Sequence, residues 1–349
     1  MLEKNHVFGW VFFILILQGP LASAVHQSSE LRSVSLLKNE SIDLKERDTK
    51  AVLSSRELLL SPYQQEVLAK DLPASGITFD RKGRVWIAGK TSLWLWDLHE
   101  RRLRQIELSA GSFSDSTQLR SFGGWVLIAK SGSLFQIDIE SLKVFHYELT
   151  SNVSYKSISI SSDRDSSFYW LLNQGVYSIH PEEKSLKPVF QHKIPVDSQA
   201  LFFKQMNRLW IIDQKSIHTL DYQTDATMAQ SKNIFQTTDH LLGVYTDGEE
   251  VYAHTKYSVI RFSKEGKVLQ AIPVEGLAKI VLMHVDGDSH SYLLSNRMLE
   301  IYFPLKEVSK VFSLDLGRVK KASYLQRQGS MLALILDGSP RIFQLEGSW

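Results

Sequence analysis

The chain has 349 residues, of which 43% are hydrophobic and 22% charged, the proportions of an ordinary folded, soluble protein. Its formal net charge is only +2, which argues against a nucleic-acid binder and leaves any electrostatic partner to a local charged patch. The complete absence of cysteine excludes disulfides, thiolate metal sites and cysteine nucleophiles.

Residues 1–24 have the features of a secretory signal peptide. Lys4 precedes the apolar run Val7–Leu17, and Ala22-Ser23-Ala24 supplies the small residues of a cleavage site. The run is shorter than the ~20 residues that span a bilayer, which disfavours the alternative of an uncleaved anchor. We therefore expect an exported protein without a transmembrane anchor after cleavage. Because it lacks cysteine, the bacterial periplasm (or secretion) is its expected location.

A polar segment, residues 25–55, follows the signal peptide and carries no repeat pattern. It has no aromatic residues and mixes charges, as in Lys45-Glu46-Arg47-Asp48, a composition that predicts a flexible tether. A short amphipathic helix is the alternative. Residues 56–349 are then the predicted folded domain.

The stretch Ile77–Leu108 is the template of the folded domain. It predicts four short strands joined by turns rich in glycine or charge, a pattern typical of an antiparallel meander. Its second strand, which begins at Val85, recurs at Val126, Tyr169, Leu209, Val251, Ser291 and Leu332. The steps between these positions are 41, 43, 40, 42, 40 and 41 residues. A period of about 40–45 residues with four strands per unit predicts an all-β, seven-bladed β-propeller with four-stranded antiparallel blades.

The second strands explain why the blades must stack. They are apolar on both faces in nearly every repeat, as expected for a strand with a blade packed on each side. Three tryptophans at matching places are predicted to be spacers between blades: Trp86, Trp170 and Trp210. Three aspartates that follow third strands are predicted to cap the outer hairpins: Asp97, Asp138 and Asp221.

The ring is predicted to be closed by the N-terminal end of the domain. The seventh repeat supplies three strands and the sequence then ends at Trp349, without a fourth strand. Tyr63–Leu72 resembles the fourth strands of other repeats, such as Lys143–Leu149. We therefore expect a closing strand at about residues 61–72 that completes the last blade and leaves no blade without two neighbours.

The first repeat also resembles a known group of proteins. Ile77–Asp97, which reads ITFDRKGRVWIAG followed by LWLWD, resembles the repeat of the bacterial sensor-regulator (two-component regulator) propellers and, more loosely, YVTN and NHL-type propellers. Trp96-Asp97 is similar to the dipeptide of WD40 repeats, although the other repeats do not keep it. The resemblance implies a propeller fold. These families include sensor domains, scaffolds and a few enzymes, and the sensor role does not carry over because no kinase segment follows.

The first strands of the repeats are predicted to line the central channel. They contain no carboxylate in their cores, and hard cations need several oxygen ligands, so neither a metal nor another cofactor is expected. The histidines are scattered, and none lies at ligand spacing from another. No nucleophile elbow, dinucleotide loop or P-loop is present. The prediction of a non-enzyme therefore rests on a lack of titratable groups along the axis, and no catalytic residue is assigned.

One set of positions does recur in the loops after the second strands. Five of the seven repeats carry a cation there: Lys90, Lys130, Lys215, Lys256 and Arg297. In a meander these loops lie on the same face as the blade-to-blade connections, so the five cations would form a broken ring around one mouth of the channel. Such a ring concentrates anions, although solvated turn lysines are the ordinary explanation.

The sequence favours a non-catalytic, exported and monomeric propeller that binds a protein or a cell-envelope component and presents its loops from a rigid scaffold. The second hypothesis is a lyase or hydrolase acting on an extracellular saccharide or ester, with polar groups from Asp213, Asn173 or His254. The third is a sensor of small anions or lipid headgroups that uses the basic ring. No nucleic-acid partner is expected.

Overall fold

The computed structural model describes residues 50–52, 54–108, 113, 117–130, 133–149, 157–162, 168–180, 185–195, 197–222, 230–274, 279–286, 290–302 and 311–346. The predicted signal peptide (1–24) and most of the predicted tether lie outside these residues. The first elements are two strands and a helix: β1 (Lys50–Val52), β2 (Ser54–Leu58) and α1 (Pro62–Ala69).

Blades one to three follow in chain order. Blade one contains β3 (Gly76–Phe79), β4 (Val85–Ala88), β5 (Leu93–Asp97) and β6 (Arg102–Ile106). Blade two contains β7 (Gln118–Phe122), β8 (Trp125–Lys130), β9 (Ser133–Asp138) and β10 (Val144–Glu148). Blade three contains β11 (Ser157–Ser162), β12 (Phe168–Leu172), β13 (Gly175–His180) and β14 (Ser185–Gln191).

Blades four to seven repeat the plan. Blade four contains β15 (Gln199–Phe203), a 3₁₀ turn (Lys204–Met206), β16 (Arg208–Ile212), β17 (Ser216–Asp221) and β18 (Gln230–Gln236). Blade five contains β19 (Gly243–Thr246), β20 (Glu250–His254), β21 (Ser258–Ser263) and β22 (Val268–Pro273). Blade six contains β23 (Leu282–Val285), β24 (Ser291–Leu294), β25 (Met298–Tyr302) and β26 (Val311–Asp315). Blade seven contains β27 (Ala322–Gln328), β28 (Met331–Leu336) and β29 (Ser339–Glu346).

The predicted seven-bladed ring is confirmed. Each blade is an antiparallel meander, and each of the seven second strands begins within a few residues of its predicted position. The first strand of every blade contacts the first strands of both neighbouring blades, including β27 of blade seven with β3 of blade one. The first strands therefore surround one central channel.

The core lies between the blades rather than inside any one of them. Seven buried apolar clusters each combine residues of two neighbouring blades. In β4, Val85 and Ile87 belong to the cluster shared with blade seven, whereas Trp86 belongs to the cluster shared with blade two. This alternation is the period of two expected for a strand with an apolar neighbour on each side. The predicted spacers Trp86, Trp170 and Trp210 are all completely buried, as expected.

The closing strand is N-terminal, as predicted, but its predicted position at residues 61–72 is wrong. β2 pairs antiparallel with β29 and completes blade seven, and Arg341 donates to both carboxylate oxygens of Glu57 at 2.6 Å. β1 pairs in parallel with β26, so the sheet of blade six has five strands. The predicted tether (25–55) therefore ends too late, because both strands begin inside it.

The segment predicted to be the closing strand is largely the helix α1. Ser61 caps its N-terminus in a reciprocal capping box with Gln64, and Pro62 occupies the first helical turn, where proline is favoured. Its last turn buries Leu68 in the cluster between blades seven and one. These local helix signals override the resemblance of Tyr63–Leu72 to the fourth strands of other repeats.

Two of the three predicted hairpin caps are confirmed. Asp97 and Asp138 each accept two backbone N–H groups of the turn that follows them. Asp221 instead forms a bidentate ion pair with Arg208. The turn capped by Asp97 lies on the opposite face of the ring from the blade-to-blade connections.

Candidate functional site

The loops after the second strands lie on the face of the blade-to-blade connections, as predicted. The backbone carbonyl of Lys90 accepts the N–H of Phe113, that of Lys215 accepts the N–H of Thr237, and that of Lys256 accepts the N–H of Ile280. The carbonyl of Arg297 accepts the N–H of Leu316 in the same way. These positions therefore anchor the connections through backbone carbonyls, and this contact does not require a cationic side chain. We call this face the connection face.

The side chains at the five ring positions differ in their surroundings. Lys130 is half-buried with its ammonium 5.8 Å from the ring centre of Phe113, and burial lowers its pKa. Arg297 is held by Asp315 in an exposed ion pair at 2.8 Å. Lys90 and Lys215 are exposed, and Lys256 is half-buried. The anion-binding role of the ring stays a prediction.

The three loop residues proposed for an enzyme are not brought together by any described contact. Asp213 accepts two backbone N–H groups and the hydroxyl of Ser216, so its carboxylate caps its own turn. The backbone carbonyl of Asn173 anchors the connection at Ile194. His254 is 1% exposed, and its Nδ1 lies 3.1 Å from the carbonyl oxygen of Thr255.

The central channel holds the most distinctive group of polar side chains. Arg120 projects from β7 of blade two, Tyr245 from β19 of blade five, His284 from β23 of blade six and Tyr324 from β27 of blade seven. The charge of Arg120 acts on the other three side chains, and its guanidinium lies 5.9 Å from the ring centre of Tyr324. A side chain that reaches groups on three other blades must lie at the axis. We call these four residues the axial cluster.

The guanidinium of Arg120 has no carboxylate partner among the described residues. Its one described hydrogen bond runs from Nη1 to the backbone oxygen of Leu119, at 3.2 Å. Tyr324 uses its hydroxyl to donate to the backbone oxygen of Thr117, at 3.1 Å. Gly76 lets these strands approach closely, because a Cβ there would lie 2.9 Å from Cβ of Leu119 and 3.6 Å from the Tyr324 hydroxyl. The guanidinium is half-buried, so it is partly shielded from solvent and has no described carboxylate to offset its charge.

The other members of the axial cluster are neutral near pH 7. Burial raises the pKa of Tyr245 to about 12, against the smaller opposing effects of a backbone hydrogen bond at Met283 and of the Arg120 charge. Burial also raises the pKa of Tyr324. Burial lowers the pKa of His284 to about 4; the nearby Asp286 opposes this shift, and Arg120 reinforces it. The axial cluster therefore presents one positive charge and three neutral groups that can form hydrogen bonds.

A second polar network lies beside the axial cluster, between blades six and seven. Asp286 accepts hydrogen bonds from Arg327 at 2.9 Å and from the Tyr292 hydroxyl at 2.9 Å, and it also contacts His290. The equivalent turn of blade one is built alike, with Asp80 accepting from Trp86 at 2.9 Å. We interpret these aspartates as structural, because each joins its turn to an aromatic residue of the second strand.

Sequence reasoning missed the axial cluster, and its expectation that the axis lacks titratable groups was wrong. That expectation rested on the absence of carboxylates from the first strands. The available signal was Arg120 itself, which is the only arginine or lysine in the first strands of blades one to six. No three His, Asp or Glu side chains of the described residues are grouped so that they could hold a metal ion. Nor is any helix in this part of the chain long and apolar enough to cross a membrane.

The fold and the axial cluster define a closed seven-bladed propeller with a polar channel, and solved structures of the same architecture exist. A catalytically inactive histidine variant of virginiamycin B lyase from Staphylococcus aureus with quinupristin matches with a TM-score of 0.63 and 11% identity, over 84% of this chain and 100% of that one. A streptogramin B lyase matches with a TM-score of 0.60 and 12% identity, over 84% and 98%. Kluyveromyces lactis Hsv2 matches with a TM-score of 0.51 and 13% identity, over 79% and 98%.

At this identity the similarity establishes the fold alone. No family model matches the sequence, and no curated protein matches it either. The resemblance of blade one to sensor-regulator repeats is therefore supported at the level of the propeller fold.

Proposed function

We propose that this protein is a non-catalytic binding propeller whose axial cluster holds a ligand through an anionic group, a carboxylate or a phosphate. The observation that carries the proposal is the guanidinium of Arg120 in the channel, which has no carboxylate partner among the described residues. An anion bound there would supply the missing counter-charge, and planar guanidinium groups suit both carboxylates and phosphates. The hydroxyl of Tyr245 and the neutral imidazole of His284 would complete the set of hydrogen-bonding partners.

Binding rather than turnover is the function that the electrostatics favour. The first strands contain no carboxylate that could act as a general base at the axis. Both tyrosines and the histidine are neutral near pH 7, so they can recognise a ligand as uncharged hydrogen-bonding groups. Export through residues 1–24 stays a part of this proposal.

Thermal shift of the domain with a panel of small anions tests the proposal. The panel consists of acetate, inorganic phosphate and phenyl phosphate, each titrated into the wild type, Arg120→Met and Arg81→Met. A ligand at 100 times its Kd stabilises the folded state by about 2.7 kcal/mol, which is easily measured. Arg81 is the matched control, because it is an exposed arginine paired with Glu140 at 3.0 Å, away from the axis.

We expect at least one anion to raise the Tm of the wild type and of Arg81→Met, and to leave that of Arg120→Met unchanged. Equal shifts in all three proteins would overturn the axial assignment, because the anion would then be acting elsewhere. The absence of any shift across the panel would overturn the anionic ligand class.

A lyase is the second candidate function, and two observations favour it. The solved structures described above include streptogramin B lyases, and the neutral His284 beside Arg120 could accept a proton from a bound substrate. Incubation with quinupristin, followed by mass spectrometry, distinguishes the two functions. Linearised or cleaved product that disappears in His284→Ala would replace the binding proposal, whereas unchanged quinupristin agrees with it.

A further inference from the structure

A basic sector lies on the connection face of blades five to seven. It consists of four cations and two exposed apolar side chains: Lys256, Tyr257, Lys279, Val281, Arg318 and Lys320. We call these residues the basic sector. Backbone hydrogen bonds fix each connection to the neighbouring loop, because Ile280 donates to the carbonyl of Lys256 and Val319 donates to the carbonyl of Asn296.

The apolar part of the basic sector is unusual for this molecule. Tyr257 is 55% exposed and Val281 is 36% exposed, although most large apolar side chains of the described residues are buried. Tyr257 follows Lys256 and Val281 follows Ile280, so the two apolar residues flank the hydrogen bond between those two residues. Both exposed apolar residues therefore lie next to the same backbone hydrogen bond, which joins the loop of Lys256 to the connection of Ile280.

The cations of the basic sector are not neutralised by described carboxylates. None of Lys256, Lys279, Arg318 and Lys320 forms an ion pair with another described residue. Two acidic residues lie nearby, but both are engaged. Asp315 pairs with Arg297, and Asp337 accepts the backbone N–H groups of Lys320 and Lys321. The sector therefore has an excess of positive charge.

The opposite face of the ring shows that this excess is local. Cations there are held by neighbouring carboxylates in described ion pairs: Lys82 with Glu140, Arg84 with Asp80, Arg208 with Asp221 and Lys264 with Glu249. Among the described residues, the connection face of blades five to seven places four cations without a described ion pair beside two exposed apolar side chains. This asymmetry identifies the face that a partner would use.

We infer that the basic sector docks an acidic peptide segment of a partner protein, with an apolar side chain of that segment seated against Tyr257 and Val281. Charge complementarity supplies the attraction and the orientation, and the aromatic contact supplies the anchor. A peptide fits better than a membrane surface, because two apolar side chains are too few for an interfacial contact. This site is distinct from the axial cluster and does not depend on it.

Fluorescence anisotropy with a labelled peptide of six Asp and Glu residues around a central Phe tests the inference. The full chain after cleavage is compared with three variants. Lys256→Glu/Lys279→Glu/Lys320→Glu reverses the sector, and Tyr257→Ala removes the anchor. Lys90→Glu/Lys193→Glu/Lys215→Glu is the matched control, because it reverses three cations on the same face in other blades. Arg120→Met and vesicles of phosphatidylglycerol complete the set.

We expect the sector reversal to weaken peptide binding by about tenfold or more, and Tyr257→Ala by about three- to tenfold. The control reversal and Arg120→Met should remain within about twofold of the wild type. The inference would be overturned if the control reversal lost as much peptide affinity as the sector reversal, or if Tyr257→Ala lost none. It would also be overturned if the wild type did not bind the peptide. Tighter binding to the vesicles than to the peptide would replace the peptide with a membrane surface. Because Arg120→Met leaves this site intact, failure here and failure of the axial proposal are separate results.

Discussion

Asp71 joins the end of the ring-closing segment to blade one, and its replacement should destabilise the protein more than that of any exposed turn aspartate. The carboxylate is 5% exposed and accepts four hydrogen bonds. Two come from the backbone N–H and hydroxyl of Thr91, at 2.6 and 2.7 Å. The others come from the backbone N–H of Ser92 at 3.0 Å and from Nε1 of Trp94 at 2.8 Å.

The magnitude follows from what happens to the four donors in Asp71→Ala. Thr91 is exposed, so water can replace the carboxylate at its two donors. Ser92 and Trp94 are more enclosed, and each loses a hydrogen bond to a charged group that is worth about 1.5–3 kcal/mol. We therefore expect Asp71→Ala to lower the free energy of unfolding by about 3–5 kcal/mol. Asp71→Asn should cost about 2–3 kcal/mol, because its NH₂ group would face two donors in either orientation.

Urea unfolding followed by tryptophan fluorescence measures both variants. Asp97→Ala is the matched control in the same blade, because Asp97 accepts two backbone N–H groups in a solvated turn. This replacement should lower the free energy of unfolding by about 1 kcal/mol or less. If Asp71→Ala is within about 1 kcal/mol of Asp97→Ala, the carboxylate does not hold the closing segment in place, and the reasoning from its burial is refuted.

Two further predictions concern backbone conformation and pH. Gly175→Ala should prevent stable folding of blade three, because Gly175 has φ +141° and a Cβ would lie 2.1 Å from the carbonyl oxygen of Phe190; Gly248→Ala, with φ +92° and no atom within 4 Å, should cost only about 1 kcal/mol. Circular dichroism and urea unfolding separate the two, and equal stability would contradict the predicted clash. Burial lowers the pKa of His254 to about 4 in the folded protein, so the unfolded chain binds the proton first as the pH falls. This contribution to stability is present above pH ~6.5 and is lost towards pH 4, amounting to about 2 kcal/mol by pH 5. His254→Gln should therefore lose about 2 kcal/mol less than the wild type between pH 7.5 and pH 5, and identical losses would contradict the assignment.

The architecture was predictable because one physical requirement is repeated in the sequence. The second strand is apolar on both faces in nearly every repeat, beginning with the one at Val85. Both faces are buried only if a blade packs on each side. Ring closure was predictable for the same reason, since an incomplete last blade would leave an apolar face open. The closing strand itself was misplaced, because the resemblance of Tyr63–Leu72 to other fourth strands was given more weight than the helix cap formed by Ser61, Pro62 and Gln64.

The candidate site was less predictable than the fold. Which side chains meet at the axis depends on the register of strands from four different blades, and no local pattern encodes that meeting. Arg120 is one residue in an otherwise unremarkable strand, and its significance appears only when Tyr245, His284 and Tyr324 are seen around it. The five loop cations could be predicted as a set because they recur with the repeat, and their anion-binding role stays a prediction.

The most direct test of the axial anion site is a crystal structure of the protein grown or soaked in bromide, with the anomalous signal of bromide measured. We predict a bromide ion beside the guanidinium of Arg120, between Tyr245 and Tyr324. Arg120→Met crystals treated in the same way should have no ion there. A wild-type channel without bromide, or an Arg120 guanidinium already ion-paired with a carboxylate of the protein, would contradict it.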